Sequence, residues 1–157
     1  MTTIFRPAFL ICLFFLSLGT SFSQCKVRNI VNGCKPNLKP YSYDSYAISD
    51  LEFTNQPQKI EVQFTAFASQ KYKLIFCTSG FVENLNVNIY DKSNRSKNRT
   101  KLFDSSSGID NLFWSFEPQK TGDYYIEYEL PPSSDSKPKK GCVVLIVGTR
   151  LMDYGTK

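Results

Sequence analysis

The sequence contains no histidine and only one tryptophan among its 157 residues. Without histidine there is no Ser-His-Asp or Cys-His nucleophilic site, no histidine general base and no His-ligated zinc. Serines lie beside carboxylates at 104–107 and 133–136, but an exposed aspartate is too weak a base to activate a serine. We therefore expect a protein that is not an enzyme and that holds no cofactor.

The chain also lacks an apolar run long enough to span a bilayer. Its longest run, Ala8–Leu18, has eleven residues, whereas a transmembrane helix needs about 20. A basic residue precedes the run, and the small residues Ser21 and Ser23 follow it, which is the order of a secretory signal peptide. We expect cleavage after Ser23, with an uncleaved anchor as the alternative. The mature chain is then secreted, periplasmic or on the cell surface.

Removal of the signal leaves an even number of cysteines, Cys25, Cys34, Cys77 and Cys142. In an exported chain this predicts two disulfides, for which three pairings are open. The turn at Asn32-Gly33 favours a bond between Cys25 and Cys34 across a self-contained loop, which leaves Cys77 for Cys142. The spacings contain no C-x2-4-C pair, so a zinc site is disfavoured.

Beyond Ser45 the apolar residues alternate with polar ones, which is the period of a strand with one solvated face. The segments are 60–66, 72–76, 85–89, 112–116, 124–130 and 143–147, with weaker strands at 46–53 and 101–104. Val143 to Val147 is apolar on both sides, which predicts a central strand or one covered on both faces. About eight short strands predict an all-β fold, a jelly-roll-like antiparallel β-sandwich, because each apolar sheet face needs another sheet to cover it.

These patterns divide the chain into four parts. Residues 1–23 form the signal peptide, 24–44 a cysteine-containing N-terminal lead-in, 45–150 the β-sandwich domain and 151–157 a C-terminal tail. The lead-in has no sustained periodicity, so we expect it to depend on a disulfide for order.

Three segments carry a resemblance to a known family: Gln70–Phe76, Leu85–Asp91 and the stretch from Phe113 to Tyr128 that contains Thr-Gly-Asp-Tyr-Tyr. Their order is similar to that of bacterial pre-peptidase C-terminal domains, over roughly Ile48 to Gly148. The resemblance implies a β-sandwich with a non-catalytic accessory role. The signal and the composition also resemble those of exported proteins of Bacteroidota.

Some members of that family hold calcium through aspartates. Asp91, Asp104 and Asp110 are the calcium candidates of this sequence if their loops converge, although there is no D-x-D-x-D-G loop. Calcium therefore stays a weak candidate, and we assign no metal site.

The most concentrated charge is a run of five cations without an acid. It consists of Lys92, Arg95, Lys97, Arg99 and Lys101. We interpret it as a solvated loop between two strands; the functional alternative is a contact for anionic polysaccharide, phosphate head groups or an acidic partner. The run contains no aromatic residue for stacking on bases, so we expect no nucleic-acid partner.

Two further groups have a structural and a functional interpretation. The first group consists of three tyrosines, Tyr41, Tyr43 and Tyr46. We expect them to cover an edge of the sandwich; the functional alternative is an aromatic platform for sugar rings. Glu127 and Glu129 imitate a glycosidase pair, but the alternation places both on the solvated side of their strand, so we expect an exposed sheet face.

The sequence therefore leaves two functions open. The first is a non-catalytic binding or assembly module of the cell envelope that acts through protein-protein contacts. The alternative is an accessory domain that binds carbohydrate or calcium for a partner enzyme.

Overall fold

A computed structural model of the chain describes residues 25–80, 85–107, 113–133 and 139–152. The predicted signal peptide and most of the predicted C-terminal tail lie outside these residues. The lead-in forms one helix, α1 (Val27–Cys34), and a 3₁₀ turn (Lys35–Leu38). Eight strands follow: β1 (Ser42–Phe53), β2 (Gln58–Ala66), β3 (Gln70–Gly80), β4 (Asn86–Tyr90), β5 (Lys101–Asp104), β6 (Phe113–Phe116), β7 (Gly122–Leu130) and β8 (Lys139–Leu151). A second 3₁₀ turn, Ser105–Ser107, follows β5.

The strands form two four-stranded antiparallel sheets, with the orders β1-β8-β3-β6 and β2-β7-β4-β5. The first strand thus pairs with the last and the second with the seventh, which is the strand order of a jelly roll. The structure confirms the predicted all-β sandwich.

The core lies between the two sheets and is built from the inward residues of the alternating segments. Leu74 and Phe76 of β3 meet Ile126 and Tyr128 of β7 in one buried cluster. Successive side chains of a strand point to opposite faces of the sheet, so apolar residues at every second position give these strands one apolar face. Burial raises the pKa of the Tyr128 hydroxyl.

The central strand β8 is covered on both faces, as its two-sided apolar sequence predicts. Val143 and Leu145 point into the core between the sheets. Val144 and Ile146 point outward and belong to a second buried cluster, which Leu38 of the lead-in closes. The lead-in therefore acts as a third layer over the outer face of the first sheet.

Helix α1 forms because its apolar residues recur at helical spacing. Ile30, Val31 and Cys34 pack on the second cluster, and positions three and four apart share one helix face. The 3₁₀ turn then places Leu38 over Gly148 of β8, where an added Cβ would lie 2.6 Å from Leu38 Cδ2. Glycine at this position allows the lead-in to approach the strand.

The predicted disulfide pairing is wrong. Cys25 is bonded to Cys142 and Cys34 to Cys77, so both bonds join the lead-in to the first sheet. The region interpreted as a turn at Asn32-Gly33 is helical, and an eight-residue helix holds its ends about 12 Å apart. That separation exceeds the roughly 7 Å Cα distance that a disulfide tolerates.

Candidate binding surfaces

Strand β1 is an edge of the first sheet, and it is much longer than two of the other edge strands. It spans 12 residues, and among the described strands it pairs only with β8. The edge strands β5 and β6 have four residues each. An unpaired edge exposes a row of backbone N–H and C=O groups, and natural proteins blunt such edges with charged side chains, above all lysine, with proline, with a β-bulge or with short length. Between Ser42 and Phe53 there is neither lysine nor proline.

A β-bulge places two tyrosines of β1 on the same face. The register shifts between Tyr43 and Ser45, so that Tyr43 is opposite Gly148 while Tyr46 is opposite Ile146. Their partners are two residues apart, and residues two apart on a strand share a face. Ile48 continues this face, and Tyr46 and Ile48 are 47% and 45% exposed. The bulge thus creates an apolar stripe along an unpaired edge.

The three tyrosines of the predicted platform do not form one flat surface. Tyr41 and Tyr43 are half-buried and line an open groove of about 390 Å³ beside the lead-in. The ammonium group of Lys35 lies 4.1 Å from the centre of the Tyr43 ring, so that ring face is already occupied. Tyr46 lies on the exposed stripe and is not among the residues that line this groove.

The charges of β1 are all negative. Asp50 and Glu52 lie opposite Cys142 and Lys140, on the face that also carries Tyr46 and Ile48, because all four positions are two residues apart. The edge therefore combines an apolar stripe with carboxylates.

The basic run forms an ordered loop, residues 91–100, between β4 and β5. Asp91 closes its base, since the Asp91 N–H donates to the Thr100 carbonyl at 3.2 Å and the Thr100 N–H donates to the Asp91 carboxylate at 2.6 Å. The Asn94 N–H donates to the carboxylate of Glu61 on β2 at 2.8 Å. The loop is thus fastened across the outer face of the second sheet.

Arg99 anchors the loop to the sheet. Its guanidinium lies 2.9 Å from Glu127 and 3.4 Å from Glu61, and it stacks 3.7 Å from the centre of the Tyr90 ring. Glu127 is 2% exposed and lies 3.5 Å from Lys59. Burial acts to raise the pKa of Glu127, but the hydrogen bond and charge of Arg99, with the charge of Lys59, outweigh it and lower that pKa.

The five cations of the run have different roles. Arg99 is paired as described, Lys101 forms an ion pair with Asp104 at 2.8 Å, and Lys92 donates to the Asn98 carbonyl at 2.8 Å. Arg95 and Lys97 are exposed and form no ion pair within the described residues. The loop therefore presents two cations outward.

Two of the three aspartates considered for calcium serve as hydrogen-bond acceptors. The backbone N–H of Thr100 holds the pKa of Asp91 below its usual value. Hydrogen bonds from Lys101 and Ser106 lower the pKa of Asp104 to about 2. Asp110 lies outside the described residues, and within them no three potential metal ligands cluster.

The expectation of an exposed face for Glu127 and Glu129 is wrong for Glu127. Both side chains do point away from the core, but the loop and Arg99 cover Glu127 and leave it buried. Glu129, at 29% exposure, pairs with Lys59. Period-two alternation indicates which way a side chain points but contains no information on a loop that crosses the outer face. Glu61 contacts the Asn94 N–H and the Arg99 guanidinium. The sequence does not indicate this role, because the position of Glu61 opposite Glu127 depends on pairing between strands that are distant in the chain.

A cleft of about 530 Å³ lies between the lead-in and β6, beside the Cys34–Cys77 disulfide. Among its described lining residues the cation is Lys73, which donates to the Asn37 carbonyl at 2.7 Å and lies 4.9 Å from the Phe113 ring centre. The ammonium group is thus already engaged by the protein itself.

Comparisons with known proteins give structural neighbours only. No protein-family model matches the chain, and no curated protein matches it. Among solved structures, the chain is similar to Aeromonas hydrophila PliG, a periplasmic lysozyme inhibitor of g-type lysozyme, at 17% identity and a TM-score of 0.47, over 71% of this chain and 90% of that one. It is also similar to Salmonella Typhimurium PliG, at 16% identity and a TM-score of 0.38, over 65% and 86%.

The resemblance to pre-peptidase C-terminal domains stays a prediction. In the part of the chain that the structure describes, no helix has the length and apolar character needed to cross a membrane.

Proposed function

We propose that this chain is an exported, non-catalytic protein-binding module and that strand β1 is its contact edge. The observation that carries the proposal is the unpaired 12-residue edge with Tyr46 and Ile48 exposed on one face. Such an edge accepts an extended segment of a partner as an additional strand, in which backbone hydrogen bonds give affinity and alternate side chains give specificity.

The exposed side chains supply the apolar part of the contact. Tyrosine is enriched at protein interfaces, where a few well-buried side chains provide most of the binding energy. Full burial of a large apolar side chain contributes about 1.5–3 kcal/mol. Covering Tyr46 and Ile48, which are about half exposed, therefore contributes on the order of 1 kcal/mol each.

The carboxylates define the chemistry of the partner. Asp50 and Glu52 share the face of the apolar stripe, so they favour a segment that carries basic as well as apolar side chains. A second copy of this edge offers them no complementary charge, because β1 contains no lysine or arginine between Ser42 and Phe53. We therefore assign the edge to a different protein.

The disulfides support export. Both bonds join the lead-in to the first sheet, and such bonds persist in secreted, periplasmic or surface proteins. Glu127 and Glu129 do not resemble an acid-base pair, since Arg99 fixes Glu127 and Lys59 fixes Glu129.

Site-specific photocrosslinking in native envelopes tests the contact. A photoreactive phenylalanine at Tyr46 should crosslink to one protein, whereas the same group at Phe67, which is 52% exposed in another part of the molecule, should not. Ile48→Lys should reduce the yield of the Tyr46 adduct at least about tenfold, because it places a cation against a basic segment. Its cooperative unfolding transition should be retained, since the side chain is about half exposed.

Equal adduct yields from both positions would contradict the proposal. A Tyr46 adduct that survives Ile48→Lys in full yield would contradict it too, and an adduct with a second copy of the chain would contradict the assigned partner.

A further inference from the structure

We infer that the loop of residues 91–100 is a preorganised contact for an anionic polysaccharide. It lies on the outer face of the second sheet, whereas the proposed protein contact belongs to the first sheet, so the two sites are distinct. The inference rests on three features: the loop is held in one shape, its tip carries unpaired cations, and it has no apolar anchor.

The order of the loop does not come from an apolar core. Its base is closed by the reciprocal bonds of Asp91 and Thr100, and the Ser96 N–H donates to the Ser93 carbonyl at 3.0 Å within it. Arg99 fixes the end of the loop to the buried Glu127. A loop that is ordered before binding loses less conformational entropy when it binds.

The cations left free by this scaffold are Arg95 and Lys97, two residues apart. Both are exposed, and neither has an ion pair within the described residues. Two neighbouring cations on an ordered backbone suit the repeated charges of a polymer better than they suit a single anion.

The remaining residues of the loop decide between classes of anionic partner. From residue 91 to residue 100 there is no aromatic or aliphatic side chain, so the loop offers no wedge for a bilayer and no hot-spot anchor for a protein. It does carry Ser93, Asn94, Ser96 and Asn98, whose side chains are suited to hydrogen bonds with hydroxyl groups. This composition favours a sugar polymer that carries carboxylates or other anionic groups.

The test measures binding of the mature protein to polygalacturonate, with neutral dextran as the uncharged control. Raising the salt from 50 to 150 mM should weaken binding about fivefold, because two cations on a single-stranded polyanion give a logarithmic slope near −1.4. Arg95→Ala with Lys97→Ala should weaken it on the order of tenfold. The matched pair Lys26→Gln with Arg28→Gln removes the same charge from exposed positions of the lead-in and should change binding less than about twofold.

Asp91→Ala separates loop shape from net charge. This variant is one charge more positive, so tighter binding is expected if charge alone acts, and weaker binding if the closed base of the loop matters. We expect weaker binding, with a retained cooperative unfolding transition as the check on folding.

Three results would overturn the inference. They are tighter binding by Asp91→Ala, equal losses of affinity in the two double variants, and binding to polyglutamate or to phosphatidylglycerol vesicles that is as tight as binding to polygalacturonate. The Tyr46 crosslink should be unaffected by the loop variants, so failure of this site and failure of the β1 contact are distinguishable.

Discussion

Replacing Arg99 by methionine tests whether a buried ion pair holds the loop on the second sheet. The change removes the contacts of the guanidinium with Glu127 at 2.9 Å and Glu61 at 3.4 Å. Methionine keeps an unbranched apolar stem, so packing against Tyr90 is partly retained. The main loss is therefore the charge that compensates Glu127.

The expected cost follows from the burial of that carboxylate. Glu127 is 2% exposed, and its remaining partner Lys59 is 3.5 Å away with a 61% exposed side chain. Removing one partner of a buried ion pair costs about 3–5 kcal/mol. Lys59 compensates part of the charge, so we expect the lower end, about 3 kcal/mol in the free energy of unfolding.

The cost should depend on pH in a defined direction. The pKa of Glu127 is below its ordinary value of 4.5 in the folded protein, so its contribution to stability is present above that value and is lost as the pH falls through the lower folded pKa. In Arg99→Met the effect of burial prevails and the pKa rises. The difference in the free energy of unfolding between the two proteins is thus widest at neutral pH, and it narrows as the pH falls from the raised pKa of the variant to the lowered pKa of the native protein.

Urea unfolding measures this gap, with the fluorescence of Trp114, the single tryptophan, as the probe. Trp114 stacks on Phe116 at a ring-centre distance of 4.0 Å and will report loss of the sandwich. Arg95→Met is the matched control, because it removes an exposed cation from the same loop. Adding Glu127→Gln to Arg99→Met should recover part of the loss. Equal stability of Arg99→Met and Arg95→Met at pH 7, or a gap that stays constant down to pH 4, would refute the reasoning.

The lead-in and one carboxylate give three further expectations. Cys34→Ala with Cys77→Ala opens a loop of 43 residues and should cost about 4 kcal/mol in urea unfolding; a cost below about 1 kcal/mol would contradict the chain-entropy account. Gly148→Ala should lower the free energy of unfolding by about 1–3 kcal/mol, because the added Cβ would crowd Leu38. The loss should be smaller in a Leu38→Ala background. Additive losses would show that the two residues do not contact each other. By NMR, Asp104 should titrate near pH 2. Its contribution to the free energy of unfolding should be present above pH 3.8 and lost as the pH falls through 2. The Asp104→Asn variant should lack this pH dependence.

Much of the fold follows from local alternation. The inward residues of β3 and β7, such as Leu74 and Ile126, are apolar at every second position and lie in the core. The two-sided apolar sequence of β8 indicates its central place. These properties are local, because the period of a strand determines which side chains share a face.

The candidate surfaces depend on relations between strands that periodicity does not contain. Tyr43 and Tyr46 are three residues apart and would face opposite sides of a regular strand; only the bulge brings them to one face. Glu127 is buried because Arg99, in the loop between β4 and β5, covers it. A single sequence predicts neither the bulge nor the path of the loop.

The disulfide pairing shows where sequence reasoning gave too much weight to one local signal. Asn32-Gly33 is typical of a turn, but Ile30, Val31 and Cys34 also fit the spacing of a helix face, which the short length of the segment concealed. Once that segment is helical, Cys25 and Cys34 are too far apart to bond. The cysteines of β3 and β8 face outward on the same sheet, so each meets a lead-in cysteine. The lead-in is thereby fixed as a covering layer, which explains why the outer face of β8 is as apolar as its inner face.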